Sequence, residues 1–163
     1  MRLFCILIAL FFISCSKNDI VIADIKAQTL IYTQKAKFSY GSFNYILSLS
    51  FLNPVLDEYN KNDVFALFIA PSFDVSNLQV FIDDEKVSLE PIENDDILLK
   101  FLIQNEYAKH YKINATKKDT DPIIAKICSN IFTCFELSFQ RYSKSLYYRS
   151  EEDDIQHNLQ EPF

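Results

Sequence analysis

The sequence predicts an all-β fold: a single antiparallel β-sandwich of about seven or eight strands, with room for short helical turns between them. Apolar runs recur along residues 20–150, several alternate apolar with polar side chains, and Asn, Asp and Pro separate them. No long helical pattern lies between these runs, which argues against alternating strand–helix units. About 150 residues are enough for one buried core, so we expect one domain.

The first residues have the layout of an export signal. Arg2 precedes an unbroken apolar run over residues 3–13, and Ser14 and Cys15 follow it directly. A helix that spans a bilayer needs about 20 apolar residues. The shorter run therefore predicts that residues 1–14 are a signal peptide that is cleaved off.

The residues at the cleavage site, Phe12-Ile13-Ser14-Cys15, resemble the lipobox of bacterial lipoproteins, and the Lys-, Asn-, Ile- and Phe-rich composition resembles that of spirochaete lipoproteins. The resemblance implies that signal peptidase II cuts before Cys15 and that this cysteine carries acyl chains such as palmitate. Phe12 stands where the family usually has leucine. The alternative is an ordinary secretory signal with Cys15 as an incidental thiol, which Phe12 disfavours because such a site wants two small residues.

Charge and tether length restrict the partners. Loss of Arg2 with the signal peptide changes the net charge from −6 to −7, and a negative body repels nucleic acid and anionic lipid headgroups. We therefore expect membrane contact through the acyl chains, a protein partner in the envelope, and no nucleic acid. Because the polar tether after Cys15 is short and ends at residue 19, we expect the domain to lie on the periplasmic face rather than to be displayed outward. Outward display stays open if residues 20–26 are unstructured and lengthen the tether.

Gly41 is the only glycine, where an average composition would supply about 11. Phosphate-binding loops, dinucleotide fingerprints and nucleophile elbows each need two or three, because their backbone approaches a ligand or turns where a Cβ would clash. The sequence contains no other catalytic motif, so it predicts neither an enzyme nor a cofactor. Turns that need positive φ must use Asn or Asp instead.

The first strands are predicted from alternation and turn residues. Residues 25–31 alternate moderately, residues 43–51 alternate clearly with five large side chains on one face, and residues 64–70 are apolar on both faces, as in a central strand. Residues 78–82 and 87–89 flank an Asp-Asp-Glu-Lys turn and predict a hairpin.

The second half of the chain is predicted in the same way. Residues 97–103 are expected to form a strand, residues 121–130 a mixed segment with one helical turn, and residues 135–139 a final strand with Phe135 and Leu137 in the core. Residues 151–163 begin with four adjacent carboxylates and are predicted to be an acidic, solvated tail.

The stretch Tyr111-Lys112-Ile113-Asn114-Ala115 resembles the penultimate strand of immunoglobulin and fibronectin type III sandwiches, in which a tyrosine near the strand start bonds back across a corner. The chain has no tryptophan and no widely spaced cysteine pair. The resemblance therefore implies an immunoglobulin-like architecture and nothing finer. The alternative for residues 104–111 is a short helix.

Two cysteines, Cys128 and Cys134, remain in the domain after the leader and the lipidation site are set aside. An even pair in an exported protein suggests a disulfide. Two free buried thiols are the alternative, because cysteine is often buried without any bond.

A metal site is disfavoured by ligand count. The chain has only two histidines, His110 and His157, whereas zinc needs three or four ligands. Glu106 and His110 would share one face of a helix, but a single pair of this kind is common on solvated helices.

A basic and aromatic segment stands out near the end of an acidic chain. It consists of Arg141, Tyr142, Lys144, Tyr147, Tyr148 and Arg149. Tyrosine and arginine are enriched at interface hot spots, so this segment is the candidate partner-binding patch. The alternative is a last strand that continues with its tyrosines half-buried.

Two classes of function remain. The first is a non-catalytic lipoprotein that binds another protein or supports an assembly. The second is a small-ligand receptor or an envelope hydrolase whose site is built from scattered residues. A flat exposed patch favours the first class, and a deep pocket with several ionisable groups favours the second.

Overall fold

The structure, a computed structural model, describes residues 17–56, 59 and 61–141 and contains two antiparallel sheets in that part of the chain. The larger sheet has the order β1 (Thr33–Tyr40), β2 (Phe43–Phe51), β3 (Asn62–Ala70), β7 (Lys109–Thr116) and β6 (Glu90–Pro91). The smaller has the order β5 (Glu85–Val87), β4 (Gln79–Ile82), β8 (Ile123–Ser129) and β9 (Phe132–Phe139). The predicted all-β sandwich is confirmed.

The main core lies between the two sheets. Alternation in β2 sends Leu47, Leu49 and Phe51 inward, and these side chains are at most 1% exposed. From the neighbouring strands the core receives Phe65, Leu67, Ile69, Ile113, Val80, Ile82, Ile123, Ala125 and Ile127. Burying a side chain of this size stabilises the fold by about 1.5–3 kcal/mol.

A third layer covers the outer face of the larger sheet. It is made of α1 (Lys17–Ile31), a 3-10 helix (Ile97–Phe101) and residues 52–56. Leu98 and Leu102 pack there against Val64 and Ala66, which point outward from β3. This second core explains why β3 is apolar on both faces, as predicted for a central strand.

The predicted strand over residues 25–31 is wrong, because these residues belong to α1. Ile22, Ile25 and Thr29 follow helical spacing and lie on the less exposed face. The hydroxyl of Thr29 donates to the carbonyl of Ile25, and Gln28 Nε2 donates to Asp24 Oδ2 at 3.0 Å. The described helix starts at Lys17, so the tether that was predicted to reach residue 19 is shorter. Residues 20–26 are helical and do not lengthen the tether as an unstructured segment would.

The predicted strand over residues 97–103 is also wrong. Asp96 caps a 3-10 helix by accepting a hydrogen bond from the backbone N–H of Leu98 at 2.8 Å. Leu98 and Leu102 are both buried, but residues four apart share one face in a strand as well as in a helix, so their spacing does not distinguish the two. The alternative of a short helix over residues 104–111 is likewise wrong, because residues 104–108 form a loop with a turn and β7 begins at Lys109.

Residues 121–130 contain β8, not a helical turn. Ile123, Ala125 and Ile127 alternate inward and are fully buried, so the period-two signal was present in the sequence. Strand β7 is therefore followed by two strands, whereas the resemblance to immunoglobulin-like sandwiches places one after it. The final strand, β9, is confirmed with Leu137 in the core, while Phe135 is half-buried.

The turns use the residues that the glycine shortage predicted. Asp83 and Asp84 join β4 to β5 with φ angles of 47° and 65°, the combination that a two-residue hairpin turn requires. Gly41 takes φ 61° at the turn between β1 and β2. The hairpin predicted over residues 78–89 is confirmed.

Candidate functional site

The predicted lipidation site, Cys15, and the predicted signal peptide of residues 1–14 lie outside the described residues, which begin at Lys17. Among residues 17–56, 59 and 61–141, no helix is long and apolar enough to cross a bilayer.

Arg141 has a structural role that its place in the predicted partner patch did not suggest. Its Nη1 and Nη2 donate to the two carboxylate oxygens of Asp63 at 2.6 and 2.7 Å. Its Nε donates to the carbonyl of Thr120 at 2.9 Å, and Nη2 also donates to the carbonyl of Lys118. With the Arg141 side chain 9% exposed and that of Asp63 fully buried, this arginine joins β3 to the loop before β8.

Arg141 therefore does not belong to an exposed binding patch. The charge pattern of the sequence could not distinguish a buried arginine from an exposed one, because the pairing partner Asp63 lies 78 residues away. The other members of the patch lie outside the described residues; they are Tyr142, Lys144, Tyr147, Tyr148 and Arg149.

Cys128 and Cys134 form a disulfide with an S–S distance of 2.03 Å. Of the two alternatives that the sequence left open, the structure contains the bonded one. The bond closes the turn between β8 and β9, where the register shifts between Ile127 and Ser129. It thereby ties the two strands together beside Phe132.

His110 lies on the outer face of β7 and is not part of a metal site in the described chain. Its Nε2 is 2.8 Å from the carbonyl of Ile103, and its ring packs edge-on against Phe68 with centroids 5.3 Å apart. No group of three or more His, Cys, Asp and Glu side chains that could hold a metal ion occurs in the part of the chain that the structure describes.

Within the described residues, the two groups with shifted pKa values do not supply a base for neutral pH. Hydrogen bonds from the backbone N–H and hydroxyl of Ser76 hold the pKa of Asp74 below its usual value. Burial, with a smaller contribution from the charge of Asp74, raises the pKa of Tyr111. Near pH 7 the carboxyl is ionised and the phenol is neutral, whereas an acid–base catalyst needs a pKa close to the working pH.

The first exposed surface of interest is an aromatic cluster at one end of the sandwich, here called the aromatic end. It consists of Phe38, Tyr40, Phe43, Tyr45, Phe73, Phe132 and Phe135. Phe38 stacks on Tyr45 directly across the β1–β2 hairpin, with centroids 4.9 Å apart. Phe38 also contacts Phe132 at 4.5 Å, so both sheets contribute rings.

The hairpin tip leaves two of these rings in solvent. Tyr40 and Phe43 pair opposite each other and are 54% and 61% exposed. The three segments that meet here, residues 40–43, 70–73 and 130–135, contain no charged side chain. The result is an exposed, uncharged aromatic surface on an acidic protein.

The sequence reasoning missed this surface although a signal was present. Residues 38–56 form a run of 19 without a single Asp, Glu, Lys or Arg, in a chain where 23% of residues are charged. The alternation in residues 43–51 was interpreted only as a core strand. It did not show that Phe43 extends past the edge of the core.

The second feature is a polar cleft on the outer side of the larger sheet. It has a volume of about 680 Å³ and is lined by Asn94, Leu99, Gln104, Asn105, Glu106, Tyr107, Ala108 and His110. A smaller cavity of about 270 Å³ adjoins it and shares Asn94, Leu99, Ala108 and His110. Both cavities are bounded by the 3-10 helix and the loop before β7.

The described surface therefore offers an aromatic end and a polar cleft, and neither includes a recognisable nucleophile and base. His110 lines the cleft, but its Nε2 is engaged by the Ile103 carbonyl. Comparisons with protein-family models, with curated proteins and with solved structures found no match to this chain.

Proposed function

We propose that this chain is a lipid-anchored protein of the cell envelope that binds another protein through its aromatic end and catalyses no reaction. The observation that carries the proposal is the exposure of Tyr40 and Phe43 on a surface without charges. The cores of protein interfaces are depleted of charged residues and enriched in aromatic ones. Tyrosine is also among the residues that dominate binding energy.

The surface is also held in shape before any partner arrives. Eight residue pairs register β1 against β2, and the disulfide ties β8 to β9 beside Phe132. Aromatic side chains on fixed strands lose little conformational entropy on binding, so more of their contact energy contributes to affinity.

The lipobox resemblance and α1 together support a position close to the bilayer. Residue 17 is already helical, only two positions after Cys15, and Ile25 packs against the outer core of the domain. The 15 residues of α1 form a helix about 22 Å long. Because this helix packs on the domain, it does not carry the domain away from the bilayer as a long flexible linker would. We therefore propose the periplasmic face as the position of the domain.

Protease treatment of intact cells tests the position. We expect the mature protein to survive when the outer membrane is intact and to be digested after that membrane is permeabilised. Digestion in intact cells, while a periplasmic control protein survives, would contradict the periplasmic assignment.

Affinity purification of the acylated protein from its own membranes tests the binding function. A reproducible partner is expected with the wild type and should be lost from the double variant Tyr40→Ser/Phe43→Ser. The matched control is Ile97→Ser, which removes an apolar side chain that is 63% exposed elsewhere on the molecule. Retention of the partner by the double variant, or equal loss in the control, would exclude the aromatic end as the binding surface.

A further inference from the structure

The polar cleft has no role in the proposed protein interface. It lies at the same end of the larger sheet as the aromatic end, since His110 pairs with Phe68 near the end of β3, but it opens on the side of the 3-10 helix. A volume of about 680 Å³ falls in the range of small-molecule sites. The chemistry of its lining indicates what it could bind.

The loop that forms one wall is held by its own hydrogen bonds. Gln104 Nε2 donates to the carbonyl of Leu99 at 3.0 Å, and Asn105 Oδ1 accepts from the backbone N–H of Tyr107 at 2.8 Å. The carbonyl of Tyr107 accepts from the backbone N–H of Ser72 at 2.8 Å. These contacts orient the lining side chains in advance, which lowers the entropic cost of binding a ligand.

The lining is rich in carboxamides. Asn94, Gln104 and Asn105 each carry a carbonyl oxygen and an NH₂ group, and the bonds described above use one end of the Gln104 and Asn105 amides. Each amide therefore keeps hydrogen-bonding capacity for a ligand that both donates and accepts. Glu106 adds an acceptor at the same wall.

Charge argues against an anionic ligand. The cleft lining contains the carboxylate of Glu106, and the adjoining cavity adds one cation, Lys109. Glu93, Asp95 and Asp96 stand next to lining residue Asn94 in the sequence, and the whole chain carries a net charge of −6. Phosphates and sulfated or carboxylated chains would be repelled.

Tyr107 supplies an aromatic surface at this wall. It is 70% exposed, the largest exposed fraction of any tyrosine in the described part of the chain. An exposed ring beside amide and carboxylate groups matches a ligand with apolar C–H faces and hydroxyl edges. The C–H face packs on the ring, while neighbouring hydroxyls both donate to and accept from planar amides.

From these groups we infer that the cleft binds a neutral, hydroxyl-rich oligosaccharide. The cleft is open to solvent, so it suits a segment of a chain that continues beyond it better than a small molecule enclosed on all sides. Binding would be non-covalent, and the glycan would be the ligand rather than a substrate.

The test uses the full chain in lipid nanodiscs and a panel of neutral tetrasaccharides of glucose, mannose, galactose and N-acetylglucosamine, with binding measured by calorimetry. We expect saturable binding of at least one of them. Tyr107→Ala should weaken it by roughly three- to tenfold, the effect of losing one aromatic contact. Asn105→Asp should weaken it as well, because it replaces the NH₂ donor by a charge.

The matched control is Tyr40→Ala, which removes an exposed tyrosine outside the cleft. This variant should keep wild-type affinity for the glycan while it weakens capture of the protein partner, so the two proposals fail separately. Circular dichroism of each variant shows whether it is folded. The inference would be overturned if none of the neutral tetrasaccharides bound saturably at concentrations on the order of 10 mM, which correspond to the weakest useful affinities. Equal weakening by Tyr40→Ala would overturn it too.

Discussion

The buried pair of Asp63 and Arg141 provides the sharpest test of the structure. Asp63 is fully buried, and its two carboxylate oxygens accept hydrogen bonds from the two terminal nitrogens of Arg141. In Asp63→Ala the guanidinium loses its counter-charge but keeps the carbonyls of Thr120 and Lys118. Removing one partner of a buried pair costs about 3–5 kcal/mol, a large share of the 5–15 kcal/mol that stabilises a typical domain.

Urea unfolding followed by circular dichroism measures this loss as a change in the free energy of unfolding. A double variant separates the charge from the packing. Asp63→Leu/Arg141→Met replaces the pair by apolar side chains of similar volume, and such replacements are close to neutral or stabilising. We therefore expect the double variant to be more stable than Asp63→Ala.

The matched control is the exposed pair of Lys118 and Glu85, whose nearest charged atoms are 3.7 Å apart. Both side chains are well exposed, at 38% and 48%, so Glu85→Gln should change stability by less than about 1 kcal/mol. A cost below about 1 kcal/mol for Asp63→Ala would refute the burial of the Asp63 and Arg141 pair.

Three further predictions concern the anchor and the core. Cys15→Ala should leave an unprocessed or soluble product, and a variant that loses its leader yet partitions into detergent like the wild type would contradict lipidation. Phe139→Ala should lower the free energy of unfolding in urea by about 3–5 kcal/mol, because Phe139 is only 3% exposed. Phe135→Ala should lower it clearly less, because Phe135 is half-buried, and the reverse order would contradict the packing of β9. Replacing Cys128 and Cys134 together by serine should cost about 2 kcal/mol, since the closed loop is short, and an unchanged urea midpoint would show that the bond does not stabilise the fold.

Several elements could be predicted from local sequence alone, because the residues that carry the pattern are the same residues that form the element. Strand β2 was predicted over its full length from alternation, since one face meets the core along the whole strand. The Asp83-Asp84 turn followed from the need for positive φ in a chain with one glycine. Both inferences use neighbours within a few residues.

The helical layer was mispredicted because short apolar runs suit two periodicities. Residues 25–31 match a strand at a spacing of two, yet Ile22, Ile25 and Thr29 match a helix at a spacing of three and four. Packing of Ile25 against residues of the outer core, which include Leu98 and Leu102, favours the helix. Those partners lie too far along the chain for a local window to include them.

The sequence by itself determined the β-sandwich class, the central position of residues 64–70 and the absence of glycine-dependent catalytic loops, because hydrophobic periodicity and backbone stereochemistry act locally. Only the tertiary structure decided that Arg141 is buried against Asp63 and that Tyr40 and Phe43 stay exposed. Only it brought the amides and Tyr107 together in one cleft. Exposure and pairing depend on which distant segments cover a side chain, and residue type alone does not encode that.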